Sequence, residues 1–213
     1  MPFDVSEGIV RRTADELVGL YPDLTVHAVV GDFLAHLDRI PDGYRQLCIF
    51  LGGTIGNFKP GRATAFLAEL GAQMKPGDFL LMGTDLIKSR ARLEAAYNDA
   101  QGVTAEFNLN SLRVLNDLLD GDFDPAAFTH RSFYNEAEHR IEMWVRSERD
   151  QTVRLPRLDM ELTLPEGEAI RTEISRKFDR NKVVELLAAG GFELARWYTD
   201  PEELFALSLA RKA

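Results

Sequence analysis

Leu47-Cys-Ile-Phe-Leu-Gly-Gly-Thr-Ile-Gly-Asn57 is the stretch on which the fold is read. Five apolar residues end abruptly in a turn holding three glycines, Asn57 closes it, and Pro60 opens the next helical pattern. An apolar run bounded in this way predicts a buried parallel strand. Glycines at its carboxyl end let the backbone approach a ligand closely. Ligands of open α/β sheets bind outside the carboxyl ends of the strands, so the same stretch predicts the edge of a site.

On either side of it, strand and helix alternate. Phe3-Asp4-Val5 reads as the tail of a strand, and Ser6 as the N-cap of a helix carrying Ile9, Ala14, Leu17 and Val18. Tyr21-Pro22-Asp23 ends that helix, and Val26–Val30 reads as a strand closing in Gly31-Asp32-Phe33. A short helix and a turn at Pro41-Asp42-Gly43 lead back to Leu47. Phe66, Leu67, Leu70 and Met74 form a helical stripe, and Phe79–Met82 a further strand ending in Gly83-Thr84-Asp85. This alternation predicts a parallel α/β sheet. Beyond Asp85 the rhythm changes to two helices, around 91–99 and 105–119. An antiparallel β region follows, with strands at Phe133-Tyr134, Ile141–Val145, Leu158–Leu164 and Ala169–Ile174. A helix over Asn181–Ala189, capped by Gly190-Gly191, and a hairpin of Phe192–Tyr198 with Phe205–Ala210 complete the chain.

The 213 residues are 45% hydrophobic, which suits one domain with a large appendage. A net charge of −9 argues against nucleic acid as a partner. No apolar run is long enough to span a membrane, and the N-terminus lacks the basic and apolar regions of a signal peptide. The single cysteine, Cys48, sits inside the apolar strand as a small hydrophobe. A reducing, cytoplasmic compartment is the simplest expectation.

Three acids, Asp4, Asp32 and Asp85, fall at predicted strand ends. An acid in such a place typically accepts from ribose hydroxyls, and one a strand later can face an adenine amino group beside the Phe33 backbone. Each is equally readable as a turn-starter or cap. The glycine turn is neither Gly-x-Gly-x-x-Gly nor a P-loop, so a phosphate cradle is unsupported. The four histidines have no metal-ligand spacing with Cys48, and no nucleophile elbow is present. Glu173 and Ser175, two apart on a strand, share a face; they could bracket a small ligand with two polar atoms, although spacing alone favours a solvent-facing pair.

Several motifs, in order, match one family. They are Pro2–Ser6 (Pro-Phe-Asp-Val-Ser), Val29–Phe33 (Val-Val-Gly-Asp-Phe), Phe50–Asn57 (Phe-Leu-Gly-Gly-Thr-Ile-Gly-Asn), Gly83–Leu86 (Gly-Thr-Asp-Leu), Tyr97–Asn108, Arg171–Ser175 (Arg-Thr-Glu-Ile-Ser) and Trp197–Pro201 (Trp-Tyr-Thr-Asp-Pro). The chain resembles, over essentially its whole length, the histidine-specific Nα-methyltransferases of ergothioneine biosynthesis, which make hercynine with S-adenosylmethionine. The resemblance implies a class I methyltransferase (Rossmann-like) sheet with an α+β substrate-binding appendage. Residues 1–87 would be a partial core, 88–175 the substrate-binding region and 176–213 the end of the core. By the same resemblance, Asp4 would hold the ribose, Asp32 and Phe33 the adenine, and Gly52 would lie against cofactor and substrate. Asn57 and Tyr97 would take the carboxylate and amine end of L-histidine, Thr104 and Met143 would line the pocket, and Glu173 with Ser175 would hold the imidazole. Methyl transfer from a sulfonium needs placement more than a nucleophile. No general base is evident, and an aromatic such as Tyr97 could favour the methylated cation.

One departure from the family pattern is expected to matter. The chain begins at the family's second strand, so the central first strand and its glycine-rich turn are missing from it. Two strand edges should then face a gap, with unpaired backbone and exposed apolar surface, and the polypeptide alone should be unstable or inactive. A reading frame begun late is the preferred explanation. Two other readings stay open: a non-catalytic binding subunit completed by another chain, and a nicotinamide oxidoreductase. The latter lacks any Tyr-x-x-x-Lys pair or intact dinucleotide fingerprint.

Overall fold

The structure, a computed structural model, describes residues 1–41 and 43–213. The expected turn at Pro41-Asp42-Gly43 includes Asp42, which lies outside the described residues. The chain runs β1 (Phe3–Asp4), α1 (Glu7–Leu20), β2 (Val29–Val30), β3 (Leu47–Phe50), α2 (Pro60–Ala72) and β4 (Phe79–Asp85). It continues with α3 (Arg90–Tyr97), α4 (Val103–Leu119), β5 (Phe128–Asn135), β6 (Arg140–Ser147), β7 (Gln151–Leu155) and β8 (Met160–Leu164). It closes with β9 (Ala169–Arg176), α5 (Arg180–Ala189), β10 (Phe192–Thr199) and β11 (Phe205–Lys212).

The main sheet has the order β10-β11-β4-β3. β3 and β4 are parallel, and the final hairpin joins antiparallel through β11. Of the expected stripe, Phe66, Leu67 and Leu70 lie in α2 and Met74 just past its end, and all four are buried against one face of this sheet together with Val183 and Leu187 of α5. Cys48 packs against this core, and burial pushes its thiol up to about 11, which suppresses the reactive thiolate.

β3 is parallel, as expected, but not buried. Leu47 and Ile49 are 54% and 57% exposed because, among the described residues, only one face of the strand meets helices and only one edge meets a strand, β4. β1 and β2 form a separate parallel pair, and no ladder joins β1 to β3 among the described residues. That is the interruption expected of a sheet lacking the strand between them. It also accounts for two shortfalls. The strand expected over Val26–Val30 shrinks to two residues, because β1 offers a ladder of only two. The apolar stripe of α1 buries only Val10, leaving Ile9 and Val18 each 49% exposed.

The loop after β2 is nonetheless held firmly. Phe33 lies within 6.4 Å, centroid to centroid, of Phe50, Phe58 and Phe66, and Arg62 of α2 donates to the Leu34 carbonyl at 2.9 Å. Aromatic pairs of this kind add about 0.5–1.5 kcal/mol each beyond area burial. The Phe33 side chain is thereby turned into the core.

The antiparallel region is two sheets, β5-β6-β9 and β7-β8. One cluster packs Leu112 of α4 against Phe128, Val145, Val153 and Leu164; another packs Leu93 of α3 against Tyr134, Ile141 and Met143. β7 was not anticipated. β8 starts at Met160 rather than Leu158, because Pro156–Leu158 forms a 3-10 turn and Asp159 takes a left-handed conformation at φ 49°. β9 leads back to the main sheet: Phe178 N donates to Asp85 O at 2.9 Å, and Ile87 N to Phe178 O at 2.9 Å. The end of β9 thus runs beside the carboxyl end of β4.

Candidate functional site

That junction forms a cavity of about 390 Å³ at the carboxyl ends of the main-sheet strands. Its wall includes Gly52, Asn57, Tyr97, Glu173 and Ser175 from the sequence expectation, together with Gly53, Asp85, Lys88, Leu204 and Phe205. Each arrives for a local reason. Gly52 and Gly53, at φ 79° and 72°, turn the chain sharply out of β3 in a conformation that disfavours other residues. A 3-10 helix, Thr54–Asn57, then places Asn57 on the rim. Gly56 in that helix is buried directly against the β9 backbone, where a Cβ would come 2.7 Å from the Arg176 carbonyl oxygen. At Gly56 the glycine turn and β9 therefore meet backbone to backbone.

Tyr97 ends α3, and its carbonyl accepts from His130 Nε2 at 2.9 Å. The other nitrogen of His130 pairs with the side chain of buried Asn108, which also donates to the Trp144 carbonyl. His130 thus has a structural role, as its lack of metal spacing suggested. Met143 is buried beneath Tyr97, and Thr104 has its backbone N–H tied to Asp99 Oδ1 at 2.8 Å. Neither Met143 nor Thr104 reaches the cavity wall.

The residue that sequence reasoning missed is Lys177. Its side chain is fully buried, and its ammonium pairs with Asp85 Oδ2 at 2.7 Å. It also donates to Ser175 Oγ at 2.8 Å and Tyr97 Oη at 2.9 Å, and lies 4.8 Å from the Tyr97 ring centroid. Tyr97 Oη in turn donates to Ser175 Oγ at 2.9 Å. Asp85, the third strand-end acid, is held on its other oxygen by Lys88. The signal was present as a period of two: Lys177, one residue past the end of β9, follows Glu173 and Ser175 at the same spacing.

Glu173 differs from Asp85. Burial pushes its carboxyl above the usual range, and the Lys177 charge pulls it only partly back. Its carboxylate has no hydrogen-bond donor among the described residues. It is an acceptor facing a cavity, beside the hydroxyl of Ser175.

Asp4, Asp32 and Phe33 lie outside this cavity, Asp4 at the end of β1 and the other two in the loop after β2. Asp4 Oδ1 accepts from Ser6 N and Asp32 Oδ1 from Leu34 N, both at 2.8 Å. The turn-starting role is therefore real for both, and Ser6 makes no side-chain cap of its own. One oxygen of each carboxylate is used in this way, leaving the other open. Asp4 closes β1, and Asp32 follows its parallel partner β2 by two residues.

A second cavity, of about 410 Å³, lies between α2, α5 and the β5–β6 turn, and none of the expected residues lines it. Among the described residues no helix is long and apolar enough to cross a membrane.

A family profile described as histidine-specific methyltransferase, SAM-dependent, matches residues 1–212. The chain is 48% identical over 212 residues to a histidine N-alpha-methyltransferase of Mycobacterium tuberculosis, covering all of this chain and 66% of that protein. It is 47% identical over 210 residues to the protein of the same name from Mycolicibacterium smegmatis, covering 99% and 65%. It is 30% identical over 168 residues to an L-tryptophan methyltransferase of Psilocybe serbica, covering 76% of this chain and 46% of that protein. The chain thus spans just under two thirds of the length of the two mycobacterial relatives.

Proposed function

Since the chain belongs to the SAM-dependent, histidine-specific methyltransferases, we propose that its cavity serves methyl transfer to the α-amino nitrogen of L-histidine, the route to hercynine. The observation that carries this reading is the convergence of Asn57, Tyr97, Glu173 and Ser175, from distant parts of the chain, on one cavity. S-adenosylmethionine supplies an electrophilic methyl group when bound. Asp4 and Asp32, each with one free carboxylate oxygen, would hold its ribose and adenine, and Gly52 would let the backbone lie close to it. The side chain of Asn57, unbonded to any described residue, offers an N–H to the substrate carboxylate. Tyr97 Oη keeps a lone pair for the amine beyond its bond from Lys177. Glu173 and Ser175 take the two ring nitrogens. Asp85 is held by two ammonium groups and Glu173 is committed to the ring, so the amine's proton leaves to solvent.

We keep L-histidine as the small-molecule partner, with neither nucleic acid nor membrane, and a cytoplasmic setting in keeping with the reduced Cys48. The tryptophan-directed relative makes the ring end of the site the part that decides the amino acid. A second reading, a non-catalytic subunit completed by another chain, is favoured by the outer edge of β3, which pairs with no strand among the described residues. Incubation with S-adenosylmethionine and an equimolar mixture of histidine and tryptophan, read by fragmentation mass spectrometry, separates them. Methyl groups on the α-nitrogen of histidine, with its ring unmodified, are expected. Histidine binding without transfer would support the second reading, and methylated tryptophan alone would overturn the substrate.

A further inference from the structure

We infer that Lys177 sets the hydrogen-bonding polarity of the ring end of the cavity, so that the site takes the neutral imidazole and turns away the imidazolium. The inference rests on the histidine reading above and goes beyond it in assigning a role to a residue outside the ligand-contacting set.

The argument is a count of hydrogens. An ammonium has three N–H donors and no acceptor, and Lys177 places one each on Asp85, Tyr97 and Ser175. Both hydroxyl oxygens must therefore accept from Lys177. They share one further bond, and the phenol, as the more acidic hydroxyl, donates it to the serine. Ser175 Oγ then has both lone pairs filled, and its remaining hydrogen is the group it can offer a ligand. Glu173 beside it has no donor among the described residues and offers only lone pairs while ionised. The pair presents one donor and one acceptor. A neutral imidazole, with one N–H and one lone pair, matches it. An imidazolium has two N–H groups, and one would meet the Ser175 hydrogen with the buried Lys177 charge behind it. Removing Lys177 returns a lone pair to Ser175 and removes a positive charge, and both changes admit the cation.

The groups facing Lys177 are Asp85 from β4, Tyr97 from α3, and Glu173 and Ser175 from β9, which ends one residue before it. Lys88 acts through Asp85, and His139 contributes its backbone carbonyl, which accepts from Lys177 N at 2.7 Å. Glu138, Arg176, Asp179, Lys182 and Glu185 share the wall of the neighbouring cavity with Lys177. Titration of any of these acts alike on two ligands that differ only in ring basicity, so a paired comparison cancels it.

The test is calorimetric titration of L-histidine and of β-(1,2,4-triazol-3-yl)-L-alanine into the chain with S-adenosylhomocysteine, across the pH range around the imidazole pKa. The triazole ring carries an N–H and a lone pair and stays neutral throughout. In the wild-type chain, the ratio of histidine to triazole affinity should fall about tenfold per pH unit below about 6.5. Lys177→Met should abolish that slope, and Lys177→Arg should retain it. Lys177→Gln, whose amide oxygen can take the Ser175 proton, should lose the slope without emptying the site, which covers a failure of the methionine variant to fold. A wild-type ratio that does not change with pH, or folded Met and Gln variants that keep the wild-type slope, would overturn the inference while leaving the histidine reading standing. A wild-type chain that binds neither ligand at any pH would overturn the histidine reading itself.

Discussion

Glu173→Ala is expected to weaken L-histidine binding by about 10- to 100-fold while S-adenosylhomocysteine affinity stays within about twofold, since a hydrogen bond to a charged group contributes about 1.5–3 kcal/mol. The size follows from the setting. Glu173 is a half-buried carboxylate with no donor from the described protein, so its unmet acceptors belong to a ligand. A site built to hydrogen-bond its substrate discriminates strongly against an analogue that leaves those groups unpaired. Glu173→Gln keeps an acceptor oxygen without the charge and should fall between wild type and alanine. Calorimetric titration of each ligand reads both arms. Equal loss of the two ligands, or loss of neither, would remove Glu173 from the ring end of the site.

Gly56→Ala should lower stability by about 1–3 kcal/mol, the usual cost of forcing atoms into a packed interior, and weaken histidine binding as well. The added Cβ would come 2.7 Å from the Arg176 carbonyl oxygen and 3.2 Å from Arg176 N. Both are backbone atoms of β9 that no rotamer change can move. The turn and the strand must separate, and they carry Asn57 on one side and Ser175 on the other. The thermal midpoint should fall by several degrees, since about 1 kcal/mol corresponds to 2–4 °C in a chain of this size. Gly61→Ala is the control: it lies in α2 with nothing within 4 Å of a new Cβ, where alanine favours the helix. A Gly56→Ala protein that melts with wild type would show that the turn does not rest on β9.

Much of this was readable from residues. The helical stripe of α2, the closing hairpin and the glycine turn stand where their patterns put them, because local periodicity and turn chemistry agree with the packing there. What failed were inferences about burial. Leu47 and Ile49 look like core residues by composition, yet burial is decided by neighbours, and among the described residues β3 has a strand on one edge only. The β2 strand contracted for the same reason. β7 was missed although Val153 and Leu155 alternate with polar residues and are buried, because the run is only five residues long and depends on β8 for its ladder. In the site, spacing alone could not tell Glu173 and Ser175 from a solvated pair. Extending the same period to Lys177 would have shown a third polar residue on that face, and a polar stripe of three is harder to dismiss. That Lys177 meets Asp85 depends on Phe178 pairing beside β4, a contact between segments far apart in the chain.

The most direct test is a crystal structure of the chain with L-histidine and S-adenosylhomocysteine bound. The account predicts the imidazole between Glu173 and Ser175, the α-carboxylate at Asn57, and the α-nitrogen turned toward the sulfur beside Gly52. A histidine bound the other way round, with its carboxylate at Ser175 and Lys177 and its ring toward Gly52, would contradict it.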